Sequence, residues 1–148
     1  MAFTEITMQK RASDLVVAHL DHNFSNDDAN ITPPALGAAI PFGSVVFRAK
    51  GGASTAAWTL VTTNASLVTT NEFAVVFGNH YDFAADFVPR AIAAGQWNAL
   101  VVKRDAGIKE HYLKKAHSTL AAADFDKLKG LLADQGLVVL TDVTNLGL

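Results

Sequence analysis

Between Gly43 and Leu140 the apolar residues fall into short, broken runs, and most carry the two-residue period of a strand. Gly43-Ser44-Val45-Val46-Phe47-Arg48-Ala49-Lys50 puts Val45, Phe47 and Ala49 on one face. Ser44, Val46, Arg48 and Lys50 take the other face, which is mostly polar, and Gly51-Gly52 closes the strand as a turn. Residues 57–62, with Trp58 and Leu60, form a second strand, and Thr62-Thr63-Asn64-Ala65-Ser66 begins a polar connection. Residues 72–77 are rich in Val and Phe and end at Gly78. Residues 79–95 read as a long loop punctuated by Pro89 and Gly95. Residues 96–104 are a strong strand, apolar on both faces through Trp97, Leu100, Val101 and Val102, so both faces of 99–102 want cover. One face meets the domain's own core, and the other is expected to meet a neighbouring copy or an overlying loop. Residues 107–113 read as a further strand.

The period changes once. Over residues 121–135, Phe125, Leu128, Leu131 and Leu132 recur at helical spacing on one face, with Asp124 and Asp126 toward the N-terminal half, where the macrodipole favours acids. Gly130 costs this helix about 1 kcal/mol against alanine. Gly136 is placed to end it, and residues 137–140 make a final strand.

The first forty residues differ. Residues 15–18 read as a short strand, and His22-Asn23-Phe24-Ser25-Asn26-Asp27-Asp28-Ala29-Asn30 is dense in turn formers. Pro33-Pro34 and Gly37 interrupt any regular element. The expected organisation is an extended N-terminal arm over 1–40, with little core of its own, and a β-rich domain over 41–148. The fold class is α+β, mainly β: a small β-barrel or β-clip-like core with one short helix in its C-terminal half. The arm, too broken to pack alone, is suited to ordering on a partner, for instance by adding a strand to a sheet edge.

Composition narrows the function classes. The chain has 148 residues, half of them apolar and 18% charged, which suits one globular domain that folds without metal or disulfide. A formal charge of −2 supplies no global field for nucleic acid or an anionic membrane. With no cysteine there is no disulfide, no thiolate zinc site and no thiol nucleophile. The N-terminus lacks a basic region followed by an apolar core, and the apolar runs are too short to span a bilayer. Asn23-Phe24-Ser25, Asn30-Ile31-Thr32 and Asn64-Ala65-Ser66 then read as chance matches to the glycosylation pattern.

Candidate chemistry is sparse. His19-Leu20-Asp21-His22 offers two imidazoles and a carboxylate, a zinc-like set on a helix, but the segment reads as strand running into loop, and solvated arm residues are the plainer reading. His80-Tyr81-Asp82, His111 and His117 are scattered. Gly43-Ser44-Val45-Val46-Phe47 lacks the second glycine of a nucleophile elbow, and no phosphate-binding glycine loop occurs. Asp82 and Asp86 would pair on a helix, a common surface arrangement. Lys103, Arg104, Lys109, Lys114 and Lys115, with Tyr112 among them, read as a basic face toward solvent or an acidic protein patch rather than toward nucleic acid. No catalytic, cofactor-binding or metal-ligating residue is assigned, and the chain reads as non-enzymatic.

Several stretches follow one another in a telling order. They are Asn30-Ile31-Thr32; Ile40-Pro41-Phe42-Gly43-Ser44-Val45-Val46; Glu72-Phe73-Ala74-Val75-Val76-Phe77-Gly78; Asn98-Ala99-Leu100-Val101-Val102-Lys103-Arg104-Asp105-Ala106-Gly107-Ile108; and Leu131-Leu132-Ala133-Asp134-Gln135-Gly136-Leu137-Val138-Val139-Leu140. This order resembles the lambda-type head decoration (capsid cement) proteins of tailed bacteriophages. That family has an arm, a Gly-x-Val-Val-like strand opening a small β-domain, and a strand ending in glycine. It then has a strand before an alanine-glycine turn, a short helix, and a Leu-x-x-x-Gly-[Ile/Leu]-Val-Val ending. The resemblance covers roughly residues 15–141 and rests on order and spacing. The chain departs from the pattern in its long 79–95 segment and its Trp/Thr-rich middle.

The resemblance implies a structural virion protein made in the host cytoplasm. It implies a homotrimer on the outer surface of the expanded head, at three-fold or quasi-three-fold sites, holding the major capsid protein against packaged-DNA pressure. It implies no cofactor, no direct nucleic-acid contact and no membrane. Three other readings stand beside it: a head–tail connector or tail-tube subunit, a carbohydrate- or ligand-binding β-domain with Trp58 and Trp97 as exposed platforms, although buried core aromatics are the plainer reading of both, and a small hydrolase.

Overall fold

The computed structural model describes residues 16–19, 26–32, 40–41, 43–78, 86–87 and 97–141. In chain order these form β1 (Val16–His19), β2 (Asn26–Thr32), β3 (Ile40–Pro41), β4 (Val45–Ala49), β5 (Trp58–Leu60), β6 (Asn71–Gly78), β7 (Asp86–Phe87), β8 (Trp97–Val102), β9 (Ala106–Lys109), α1 (Glu110–Ala116), α2 (Ala122–Ala133) and β10 (Leu137–Leu140), with a 3-10 turn at Asn64–Ser66. The class is α+β and mainly β. Strands β2-β5-β4-β6-β8 close into a barrel, β1-β9-β10 form a three-stranded sheet, and β3 pairs with β7. Among the described residues no helix is long and apolar enough to cross a membrane.

Closure gives the barrel strands two different apolar faces. Ala29, Ile31, Val46, Trp58, Ala74, Val76, Ala99 and Val101 belong to one buried cluster, which fills the barrel. The alternate residues Val45, Phe73, Val75, Phe77 and Val102 join Ile108, Leu113, Phe125, Leu128, Leu132 and Leu137 in a second cluster, between the barrel wall and the helices and small sheet. Small residues make room inside the barrel: Ala29 lies opposite Ala99, Val46 opposite Ala74, and Ile31 opposite Trp58. Among the described residues, Ala29, Ala74 and Ala99 share the cluster with Trp58, the alternation of small and large side chains that a narrow barrel requires.

Two expectations change here. The face of β4 that reads as mostly polar carries Val46, which is fully buried inside the barrel. The second face of 99–102 is covered by the same chain, because Ala99 and Val101 point into the barrel while Val102 and the partly buried Leu100 pack on the outer cluster. No neighbouring copy is needed there.

Within the expected arm, β2 joins the barrel. Asn26–Thr32 pairs antiparallel with β8 along its length and parallel with β5 at its end, and Ala29 and Ile31 are buried. Ladder hydrogen bonds on two sides outweigh the poor strand propensity of Asn and Asp. A core beginning near residue 40 would lack the strand that closes the barrel. β1 is also tied in, antiparallel to β9, one residue from its expected position. The expected loop lies outside the described residues, except that Asp86–Phe87 forms β7 against β3.

The C-terminal half carries two helices rather than one. The expected strand over 107–113 ends at Lys109, and Glu110–Ala116 turns into α1, burying Glu110 and Leu113. These two are three apart and share one face. α2 runs within its expected bounds, with Phe125, Leu128, Leu131 and Leu132 buried. Gly136 follows it at φ +81°, where an added Cβ would meet Asp105 Oδ1 at 2.9 Å.

Gly43 fixes how close α1 comes to the barrel. It sits at φ +87°, and a Cβ there would lie 3.0 Å from backbone and Cβ atoms of Tyr112. Gly43→Ala therefore combines left-handed strain with a backbone clash and is expected to cost about 2–3 kcal/mol. Urea denaturation measures it; a midpoint equal to the parent's would contradict this tight approach.

Candidate functional site

The polar chemistry of the described domain gathers where the helices meet the barrel. α1 ends at His117, whose N–H donates to Leu113 O at 2.9 Å, and the chain then turns toward α2. That turn carries the imidazole into the gap where β4 and β5 part. Val45 N–H donates to His117 Nε2 at 2.7 Å, and Val61 N–H donates to Val45 O at 2.9 Å. The ring also hydrogen-bonds the Val61 backbone. With Nε2 accepting, the neutral ring carries its proton on Nδ1. His117 is 5% exposed. Burial pushes its pKa down to about 4, against the upward pull of the Val61 hydrogen bond.

Glu110 is the second buried group, at 3% exposure. It opens α1, where the helix dipole favours an acid. Its Oε2 lies 3.3 Å from Lys114 Nζ on the same helix, and its Oε1 lies 3.1 Å from Lys129 Nζ on α2. Lys129 also reaches Asp126 Oδ1 at 2.9 Å. Desolvation pushes the Glu110 carboxyl up, but the hydrogen bonds and charges of Lys129 and Lys114 outweigh it, and the net pKa lies below the usual range. Lys129 is pushed up, by its hydrogen bond to Asp126 first and to Glu110 second. The two ammonium groups lie 5.9 Å (Lys114) and 5.7 Å (Lys129) from the centre of the Phe125 ring, a cation–π arrangement that ties α1 to α2. Glu110, Lys114, His117, Ser118, Leu120, Phe125, Asp126 and Lys129 are among the residues lining a cavity of about 300 Å³.

These groups hold the joint together. His117 Nε2 accepts from the Val45 main chain, and both Glu110 oxygens face lysines. Gln135 adds a third link. Its Oε1 accepts from Phe73 N–H and its Nε2 donates to Phe73 O, each at 2.8 Å, continuing the β6 ladder beyond the end of β8.

The sequence candidates disperse. His19 contributes backbone to β1 opposite Ala106, and His22 lies outside the described residues. Among the described residues, no group of three or more His, Asp or Glu side chains could hold a metal ion. Asp86 is in a strand, and Asp82, like His80 and Tyr81, lies outside the described residues. The basic run is split: Lys103 pairs with Asp27 at the barrel, Lys114 pairs with Glu110 at the joint, and Arg104 has a partner. Trp58 is 2% exposed, and the Arg48 guanidinium lies 4.3 Å from its ring centre, so it is a barrel plug and not an open platform. The Trp97 side chain lies outside the described residues. Glu110 and His117 escaped the sequence reading as a pair. The available signals were the Glu110–Lys114 and Asp126–Lys129 spacings of adjacent helices. The chain matches no known protein family, no curated protein and no solved structure.

Proposed function

We propose that this protein is a capsid decoration protein, which binds the outside of the expanded head of a tailed phage as a trimer and braces the major capsid protein against packaged DNA. The observation that carries the reading is where the resembling stretches fall. Residues 40–46 run from β3 into β4, 72–78 lie on β6, 98–108 run from β8 into β9, and 131–140 run from α2 into β10. They are barrel walls and the helix–strand ending, and Gly43 and Gly136 both hold positive φ against a neighbouring backbone. The pattern is thus the framework of a packed domain. The geometry of the joint supports the same reading: a filled barrel and two buried ionisable groups engaged by structural partners leave a domain that offers surface. The interface between copies is not the second face of 99–102, which the chain covers itself.

Such a clamp does no chemistry. Binding the expanded lattice and not the compact precursor, it stabilises the expanded state by mass action, and three protomers acting together multiply a modest contact. DNA-filled heads are heated or osmotically shocked with and without the protein. Protected heads retain DNA to higher temperature, and the protein is absent from unexpanded shells. Equal binding to unexpanded shells, or no gain in DNA retention, would overturn the reading. A ring number other than three would point to a connector or tail-tube subunit.

A further inference from the structure

The two cores differ in what they contain. Among the described residues, no buried titratable side chain belongs with the cluster inside the barrel. The joint, by contrast, is bridged by His117 between Val45 and Val61, and by Glu110 between the lysines of two helices. We propose that the joint is an acid-labile clasp: acid loosens the helices from the barrel wall while the barrel itself stays closed.

The geometry sets the direction. Protonated His117 has no acceptor, so the Val45 N–H that points at Nε2 from 2.7 Å would face a second donor. The imidazolium would sit in a buried site, where charge is disfavoured. Around it, α1 contributes Glu110 and Lys114 to the shared cavity, and α2 contributes Asp126 and Lys129. β4 and the segment after β5 present the Val45 and Val61 main chain. Among the described residues Glu110 is the one buried anion, and both its oxygens already face lysines, so it is not free to compensate a new cation.

The signs of the two groups agree. His117 has a folded pKa of about 4 against 6.5, so its contribution is complete above pH 6.5 and is lost as the pH falls to about 4. Glu110 is also held below its ordinary value, so its contribution is present above 4.5 and disappears as the pH falls through its folded value. Both act on one joint, His117 first. The other described pairs on the barrel strands, Arg48–Glu72 and Lys103–Asp27, are partly exposed and weigh less.

Amide hydrogen exchange of the full chain, corrected for intrinsic rates, separates the two cores. Between pH 6.5 and 4 the Val45 and Val61 amides should lose protection on the order of 100-fold. The Ala99 and Val101 amides should change less than about three-fold. The His117 ring resonance, followed by NMR in the unmodified protein, should titrate over the same interval in which that protection is lost. His117→Gln keeps an acceptor without a titration and should flatten the response. Parallel loss of protection in both cores, ring titration out of step with the amides, or an undiminished response in a folded His117→Gln variant would each overturn the clasp. If that variant does not fold, the ring titration of the unmodified protein decides.

Discussion

Phe73→Ala should destabilise the protein by about 3–5 kcal/mol, the range for removing a buried phenylalanine ring. Phe73 is fully buried and lies on the outer face of β6, in the cluster that joins the barrel to α1, α2 and β10. Two features keep the site from collapsing into the void. Its backbone is held on one side by pairing with Phe47 on β4, and on the other by the Gln135 amide. The wall therefore cannot move inward to refill the space, and the cost should lie toward the upper part of the range. For a chain of this length the melting temperature should fall by about 8–15 °C. Urea titration gives the free energy, and a loss under 1.5 kcal/mol would mean that the joint repacks around the void.

Trp58→Ala should cost a similar amount, about 3–5 kcal/mol, through the other core. Among the described residues Trp58 is the one aromatic member of the barrel cluster, whose other members include three alanines and three valines. Its neighbours are held in ladders, Ile31 beside it on β2 and Val46 and Ala74 paired on β4 and β6, so none can swing in to replace an indole. The stacking of Arg48 over the ring is lost as well. Because β4, β6 and β8 line both cores, a double variant with Phe73→Ala should lose less or more than the sum, by at least about 0.5 kcal/mol. Strict additivity would indicate two cores that do not communicate through those strands. An unchanged midpoint for Trp58→Ala alone would contradict the barrel plug.

Periodicity along the chain was enough to locate β4, β5, β6, β8, α2 and β10, because each takes its fold from its own neighbours. An alternating or helical stripe needs burial on one face whatever covers it. Gly136 was legible for the same reason: a helix that stops needs a residue tolerant of positive φ. The mainly β class with a small barrel follows from that series of short strands.

What lay beyond the sequence depended on distant partners. β2 is written in Asn and Asp and reads as turns; it is a strand because β8 offers a ladder along its length and β5 another at its end. Residues 107–113 read as one strand, but Glu110–Ala116 is a helix that buries Leu113 in the outer cluster and pairs Glu110 with Lys129 of α2. Whether Val46 and Val101 face solvent, a second copy or an interior cannot be read from a strand, since closure of the barrel decides which side is inside. The joint is the extreme case. Glu110 and His117 are ordinary polar residues in sequence, and their burial, pairing and depressed pKa values arise only when two helices and a barrel edge, up to 72 positions apart in the chain, are brought within hydrogen-bonding distance.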